Sequence, residues 1–286
     1  MKNIGIKAAT AFGALVLALA VNAQQAPADT IARIKSEGVV RIGIRDSAAP
    51  FSYLDTAGKP AGFSWELCRA MVKQLEAELK TPLQVRATPV SLAESFDMLA
   101  DGRIDLQCGS TTHTAERAAK VDFSYTFFVS GIAVAYRKED VAFAHPLTYG
   151  RVAVLSGSTA ARIMNKRFAT KGASSIDMVV NVKSYEEGVE KLKKKEVDTF
   201  FADSTLIPLD SAIDRRRALE TVEPYAFMLR KNDRAFTEAV DRCLVKVLAS
   251  PATRQFASAA GLDGRINVLT SEAWRRPSKD AAPEMY

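Results

Sequence analysis

Two stretches of this chain follow one plan at a fixed distance. Ser91-Leu92-Ala93-Glu94 has the Ser-x-x-Glu form of a helix capping box, and Ser184-Tyr185-Glu186-Glu187 repeats it 93 residues later. Each helix leads to a strand with an acidic residue, Arg103-Ile104-Asp105-Leu106 and Glu196-Val197-Asp198-Thr199, again 93 residues apart. At that offset Ser110 aligns with Asp203. Upstream, Arg41-Ile42-Gly43-Ile44 is echoed by Arg151-Val152-Ala153-Val154. Each of these strands ends in a polar loop, Arg45-Asp46-Ser47 and Leu155-Ser156-Gly157-Ser158-Thr159. Two βα units of one plan imply an α/β fold in two lobes, each a mostly parallel sheet flanked by helices. Ligands bind such sheets beyond the carboxyl ends of the strands. Facing lobes bring the loops at Arg45, Ser110, Ser158 and Asp203 to one cleft. The alternative is chance similarity, since βα units are common.

The chain opens with an export signal over residues 1–23. Lys2 and Lys7 precede an apolar stretch at 8–21, and Val21-Asn22-Ala23 has the small residues of a cleavage site. The stretch is short for a membrane anchor, which is the alternative reading. The first lobe is expected over 24–137 with 225–286, and the second over 138–224. The crossings, at 131–138 and at Glu223-Pro224-Tyr225, form a two-stranded hinge. A helix is expected over 65–79 with Ser64 as N-cap and Trp65, Cys68, Val72, Leu75 and Leu79 on one face. A later helix carries Phe236, Val240, Leu244 and Leu248. The polar tail beyond Trp274 reads as mobile.

The formal net charge is +6. The two basic runs, Lys193-Lys194-Lys195 and Arg215-Arg216-Arg217, adjoin expected helices and read as solvated faces rather than a nucleic-acid surface. Cys68, Cys108 and Cys243 lack metal-site spacing, and His113 and His145 are the only histidines. An exported chain has room for one disulfide and one thiol, with the pair left open.

The run Cys108-Gly109-Ser110-Thr111-Thr112, followed by Glu116-Arg117, sets hydroxyls and a guanidinium after a strand and at a short helix start. Such a set suits a carboxylate. For a free α-amino acid, Arg117, Ser110 and Thr112 supply the carboxylate partners and Asp203 the ammonium partner. Thr159 and its loop close from the second lobe, and Arg45 offers a cation for a second carboxylate. Each has a plainer alternative: Arg117 as a surface partner of Glu116 or Glu94, Asp203 as a turn residue with Ser204, Arg45 as a partner of Asp46.

In these residues, together with the 43–53 segment, Gly62-Phe63, Gly102-Arg103-Ile104-Asp105, Phe123-Ser124 and Gly157-Ser158-Thr159, the chain resembles the exported amino-acid-binding proteins of ABC importers, solute-binding protein family 3. The resemblance covers about 31–260 and follows the pattern of members that bind glutamate and aspartate. It implies that Ser110, Thr112 and Arg117 hold the α-carboxylate, that Thr159 assists, and that Asp203 takes the ammonium. Arg45 stands where the acidic-ligand pattern has Arg, and Ala48 replaces an aromatic that covers the ligand in several members. Leu92, Ser95 and Tyr185 depart from that pattern, which has Ser, Arg and His there; Tyr185 brings a hydroxyl instead.

The resemblance therefore implies a monomeric, non-catalytic periplasmic receptor. It would deliver glutamate or aspartate to an ABC permease in the inner membrane, with no cofactor and no nucleic-acid partner. A neutral polar or somewhat larger amino acid is the alternative ligand. A periplasmic enzyme of the same fold, cyclohexadienyl dehydratase-like, is the alternative function; it needs a general acid in the cleft, and His113 is the only histidine near it.

Overall fold

The carbonyls of Pro50 and Phe51 accept the first amide protons of the helix that follows, from Phe63 and Ser64, both at 2.9 Å. That helix therefore begins at Phe63, two residues earlier than expected. Ser64 is not its cap; its hydroxyl lies inside the fold and donates to Phe51 O at 2.8 Å. A computed structural model describes residues 29–145, 149–169 and 178–283. The expected export signal at 1–23 lies outside the described residues.

The first part of the chain contains α1 (Thr30–Glu37), β1 (Val39–Arg45) and a three-stranded flap, β2 (Ser47–Ala48), β3 (Ser52–Leu54) and β4 (Pro60–Ala61). Then come α2 (Phe63–Leu79), β5 (Gln84–Val90), α3 (Leu92–Ala100), β6 (Leu106–Thr112), α4 (Ala115–Ala118), β7 (Val121–Phe123) and β8 (Phe128–Ser130). The second unit has β9 (Ile132–Arg137), β10 (Val152–Leu155), α5 (Thr159–Ala169), β11 (Val179–Val182), α6 (Tyr185–Lys193), β12 (Thr199–Asp203) and β13 (Ile213–Arg215). The chain returns through β14 (Glu223–Arg230) to α7 (Arg234–Leu248), α8 (Pro251–Ala259) and α9 (Val268–Arg275).

The strands form two larger sheets, one per lobe. The first has the order β5-β1-β6-β14-β7 with β8 also on β14, and the second has β11-β10-β12-β9-β13. Strands of the βα units pair in parallel, β1 with β5 and β6, and β10 with β11 and β12. The strands that carry the chain between lobes enter from the other end and run antiparallel: β14 against β6, and β9 against β12. Because β9 pairs with β12 and β13, residues 132–137, expected in the first lobe, belong to the second sheet. Glu223 and Pro224 pair with β8 and belong to the first.

The crossing itself is tight. Ile132 N donates to Thr221 Oγ1 at 3.0 Å, and Glu220 N to Ile132 O at 2.8 Å. A Cβ at Gly131 would sit 2.5 Å from Thr221 O, closer than any real contact, so this position requires glycine.

The duplicated plan has a structural counterpart. Asp105, just before β6, accepts the amide proton of Arg41 at 2.8 Å; Asp198, just before β12, accepts that of Arg151 at 2.8 Å. Each acid ties the start of its own central strand to the neighbouring one. The Ser91–Glu94 capping box closes in both directions. At the second helix Ser184 accepts from Glu187 N, but the Glu187 carboxylate takes the amide of Lys183, so only half of that box forms.

α2 buries Phe63, Trp65, Leu67, Cys68, Met71, Val72 and Leu75, while Leu79 is half-buried. It packs on α7, which contributes Phe236, Val240, Leu244 and Leu248 to the same core. Cys68 of α2 and Cys108 of β6 are joined in a disulfide, and Cys243 is a buried free thiol. The segment after α9 is held rather than mobile: Thr126 N donates to Ser278 O at 2.9 Å, Ala282 N to His113 O at 2.7 Å, and Lys279 pairs with Asp241. Among the described residues no helix is long and apolar enough to cross a membrane.

The disulfide spans 40 residues of sequence. Replacing Cys68 and Cys108 together by Ala is expected to lower the unfolding free energy by about 2–4 kcal/mol. Urea denaturation of the variant and of the parent, with and without dithiothreitol, checks this; dithiothreitol should affect only the parent.

Candidate functional site

β6 is buried along its whole length although its last residues are polar. Ser110 and Thr112, two apart on an extended strand, share one face. Arg117 follows on the short α4, whose N-cap Thr114 accepts from Arg117 N at 3.2 Å. Its guanidinium donates to Thr112 O and, across the cleft, to Gly157 O, both at 3.0 Å. Glu116 pairs with Arg162 of α5 and not with Arg117.

One buried carboxylate joins the two lobes at this point. Glu223, 2 % exposed at the start of β14, accepts from Thr112 Oγ1 at 2.6 Å and from Thr159 Oγ1 at 2.8 Å, both on Oε2. Thr112 ends β6 and Thr159 begins α5, so the two donors come from opposite lobes. A hydroxyl has one proton. Thr112 and Thr159, expected to donate to a ligand carboxylate, give theirs to Glu223. Ser110 Oγ, in contrast, is buried with no partner.

Arg45 ends β1 and is buried. Its Nε has no hydrogen-bond partner, and its guanidinium makes no ion pair among the described residues, with Asp46 or otherwise. Burial lowers its pKa, opposed by Tyr185, Asp46 and Asp203. The side chain lies over β6, where a Cβ at Gly109 would stand 2.9 Å from Arg45 Cγ. Gly109 thus makes the room that Arg45 occupies.

Asp203 closes β12 and is buried. Its Oδ1 accepts from the hydroxyl of Tyr225, on the returning β14, at 2.7 Å. Burial, then the charge of Glu223, push its carboxyl up to about 7 against the pull of Tyr225 and Arg117. Tyr185, the first residue of α6, is buried; desolvation and Asp203 hold its hydroxyl proton, and Arg45 and Arg117 act the other way. Burial lowers the pKa of Arg117, while Glu223 and Asp203 oppose this. The structure thus brings Arg45, Arg117, Tyr185, Asp203 and Glu223 within electrostatic reach of one another. Isolated buried charges are costly, so such a set is stable only when balanced.

Three other positions stand apart. Leu92 is packed with Leu99, Ile104 and Phe123 in a core cluster. Ser95 Oγ donates to Ser91 O at 2.6 Å within its own helix. His113 stacks on Phe123 with ring centroids 4.3 Å apart, and the charges acting on it are Lys279, Asp280 and Lys231, not those of the cleft. Glu223 and Tyr225 went unread as site residues because they sat in a segment recognised only as a crossing. The available signal was an ionisable residue and a hydroxyl on a strand that must pass between two lobes.

With this geometry in view, the comparisons are specific. The family model described as bacterial extracellular solute-binding proteins, family 3, matches residues 40–258. The glutamate/aspartate import solute-binding protein of Escherichia coli K12 is 30% identical over 253 residues, 82% of this chain and 83% of that protein. The L-glutamate/L-aspartate-binding protein of Pseudomonas aeruginosa is 30% identical over 231 residues, 77% of this chain and 76% of that protein. Among solved structures, an ABC uptake transporter substrate-binding protein from Streptococcus pneumoniae with bound histidine superposes with a TM-score of 0.71 at 18% identity, covering 81% and 96% of the two chains. The ancestral amino acid-binding protein AncCDT-1, a precursor of cyclohexadienyl dehydratase, gives 0.70 at 24% identity, covering 81% and 99%. These two structural likenesses bear on the fold.

A carboxyl raised to about 7 binds its proton more tightly in the folded protein than in the unfolded chain. Its contribution to stability is therefore complete below about pH 4 and is lost as pH rises to about 7. In a carbon-13 NMR titration of the Asp carboxyls, one signal should titrate near neutrality and vanish in Asp203→Asn. In Glu223→Gln it should move toward the ordinary Asp range, because a neighbouring negative charge is gone. Titration of every Asp carboxyl below pH 5 in the parent would contradict this assignment.

Proposed function

The chain belongs to the bacterial extracellular solute-binding proteins of family 3, and from that premise we propose that it captures glutamate or aspartate between its lobes and hands it to an ABC permease. The lobes of this reading are residues 29–131 with 223–283, and 132–222. The observation that carries it is the pair of buried, unpartnered donors, Arg45 Nε and Ser110 Oγ, the first within electrostatic reach of Asp203. A buried donor without a partner costs about 1–3 kcal/mol, and a ligand carboxylate removes that cost.

In this reading Arg117 and Ser110 hold the α-carboxylate, Asp203 takes the ammonium, and Arg45 takes the side-chain carboxylate. Tyr185 adds its hydroxyl to the side-chain end. Glu223 is a positioning residue that keeps Thr112 and Thr159, and with them the two lobes, together. A ligand that contacts both lobes binds the closed form better than the open one and so shifts the population toward it. The similarity to glutamate/aspartate-binding relatives at 30% identity supports the choice of ligand. The periplasm, where such relatives meet their permeases, is the expected location, and a monomer the expected state.

The dehydratase-like alternative needs a general acid, and Asp203, its carboxyl raised to about 7, has the chemistry of one. Turnover of arogenate or prephenate would favour that reading, and binding without change the receptor. The cleft acids are Asp203 and Glu223. The first already accepts from Tyr225 and the second from two threonines.

Calorimetric titration of the ligand-stripped mature chain with L-glutamate, L-aspartate, L-glutamine and L-asparagine tests the proposal. The acidic pair should bind tightest. Arg45→Met, which keeps the stem over Gly109, should weaken glutamate by about 2–5 kcal/mol, at least about thirtyfold in Kd. Glutamine should be affected far less. Tight binding of a neutral amino acid, unchanged in Arg45→Met, would retire the role given to Arg45 and the acidic ligand with it.

A further inference from the structure

The run Arg215-Arg216-Arg217 does not flank a helix and is not simply a solvated face. It follows from the end of β13, and Arg216 turns inward, donating to Phe143 O at 2.9 Å with its guanidinium 4.9 Å from the Tyr149 ring centroid. Its neighbours line a cavity of about 410 Å³ beside the crossing between lobes, which a fourth arginine, Arg265, reaches from the segment before α9. Arg215 donates to Ser204 O, and Arg265 to Thr205 O at 2.7 Å. Arg215, Arg217 and Arg265 have no carboxylate within ion-pair distance among the described residues. The single acid in the lining, Asp214, accepts from the amide of Arg215 at 2.7 Å and from Tyr136 at 3.5 Å.

Carbonyl groups satisfy one donor on each of Arg215 and Arg265 and none of the charge. Arg215 and Arg265 repel one another across the cavity, which adds to burial in lowering the pKa of Arg265. Guanidinium groups match the paired oxygens of carboxylates and phosphates. Arg265 belongs to the first lobe and Arg215 and Arg217 to the second, so an anion between them would tie the lobes together. We propose that this cavity is a second binding site, for a small multiply charged oxyanion with carboxylate or phosphate groups.

The cavity wall is connected to the candidate amino-acid site. Ser130 and Thr205, both in the lining, share a hydrogen bond of 2.8 Å; Thr205 lies 3.5 Å from the Tyr225 hydroxyl, which donates to Asp203. An oxyanion that fixes Thr205 through Arg265 therefore acts on the group that holds Asp203. Any effect on amino-acid affinity must be matched by the reverse effect on the anion.

Citrate and inorganic phosphate are the probes, titrated calorimetrically into the full mature chain at constant ionic strength. The expected result is saturable binding at one site. It should weaken at least tenfold in Arg215→Gln and in Arg217→Ala, the latter an exposed side chain whose loss leaves the fold intact. Binding should persist in Arg45→Met, which separates this site from the cleft. Heats no larger than those of sodium chloride, or binding lost in Arg45→Met and kept in the other two variants, would overturn the proposal.

Discussion

Glu223 Oε2 accepts a hydrogen bond from a hydroxyl on each lobe, and the arrangement of the cleft depends on that shared acceptor. The carboxylate is almost wholly buried, where its hydrogen bonds are electrostatically stronger than in water and their loss is costly. Its position at the first residue of β14 places it where the returning chain enters the first sheet. Thr112 completes β6 and Thr159 opens α5, so one acceptor sets the separation of a strand end and a helix start. Arg117 of α4 bridges the same gap to Gly157 O in the loop before α5.

Charge balance follows from this constraint. Two guanidiniums, the buried Arg45 and the half-buried Arg117, act on two buried carboxylates, Asp203 and Glu223, and on Tyr185, while Tyr225 donates to Asp203. Burial and then repulsion from Glu223 raise the carboxyl of Asp203, and Tyr225 draws it back by donating a hydrogen bond. An incoming ammonium would relieve that repulsion at Asp203, while an incoming carboxylate would meet the donors that have no partner, Ser110 Oγ and Arg45 Nε. On the proposed function the site is complementary to both ends of an amino acid, with one additional cation.

Much of this was legible in the sequence. The capping serines at 91 and 184, the acids at 105 and 198 and the apolar faces of α2 and α7 are local patterns, set by helix and strand periodicity. They appear in the structure where they were read. The polar end of β6 and the short helix with Arg117 were legible for the same reason. Partners distant in sequence were not. The Cys68–Cys108 pair depends on how α2 packs on β6, the burial of Arg216 on Tyr149 lying beneath it, and the tail on Asp241 and His113 being within reach. The roles of Glu223 and Tyr225 depend on the crossing strand carrying them into the cleft. Ser64 was misread because a side-chain cap was sought where loop carbonyls already served the helix start.

The most direct measurement is a crystal structure of the mature protein grown with L-glutamate. The account predicts the ammonium on Asp203, the α-carboxylate on Arg117 and Ser110 Oγ, the side-chain carboxylate on Arg45 Nε, and Glu223 still bridging Thr112 and Thr159. A ligand carboxylate seated on both threonine hydroxyls, with Glu223 displaced from them, would contradict it.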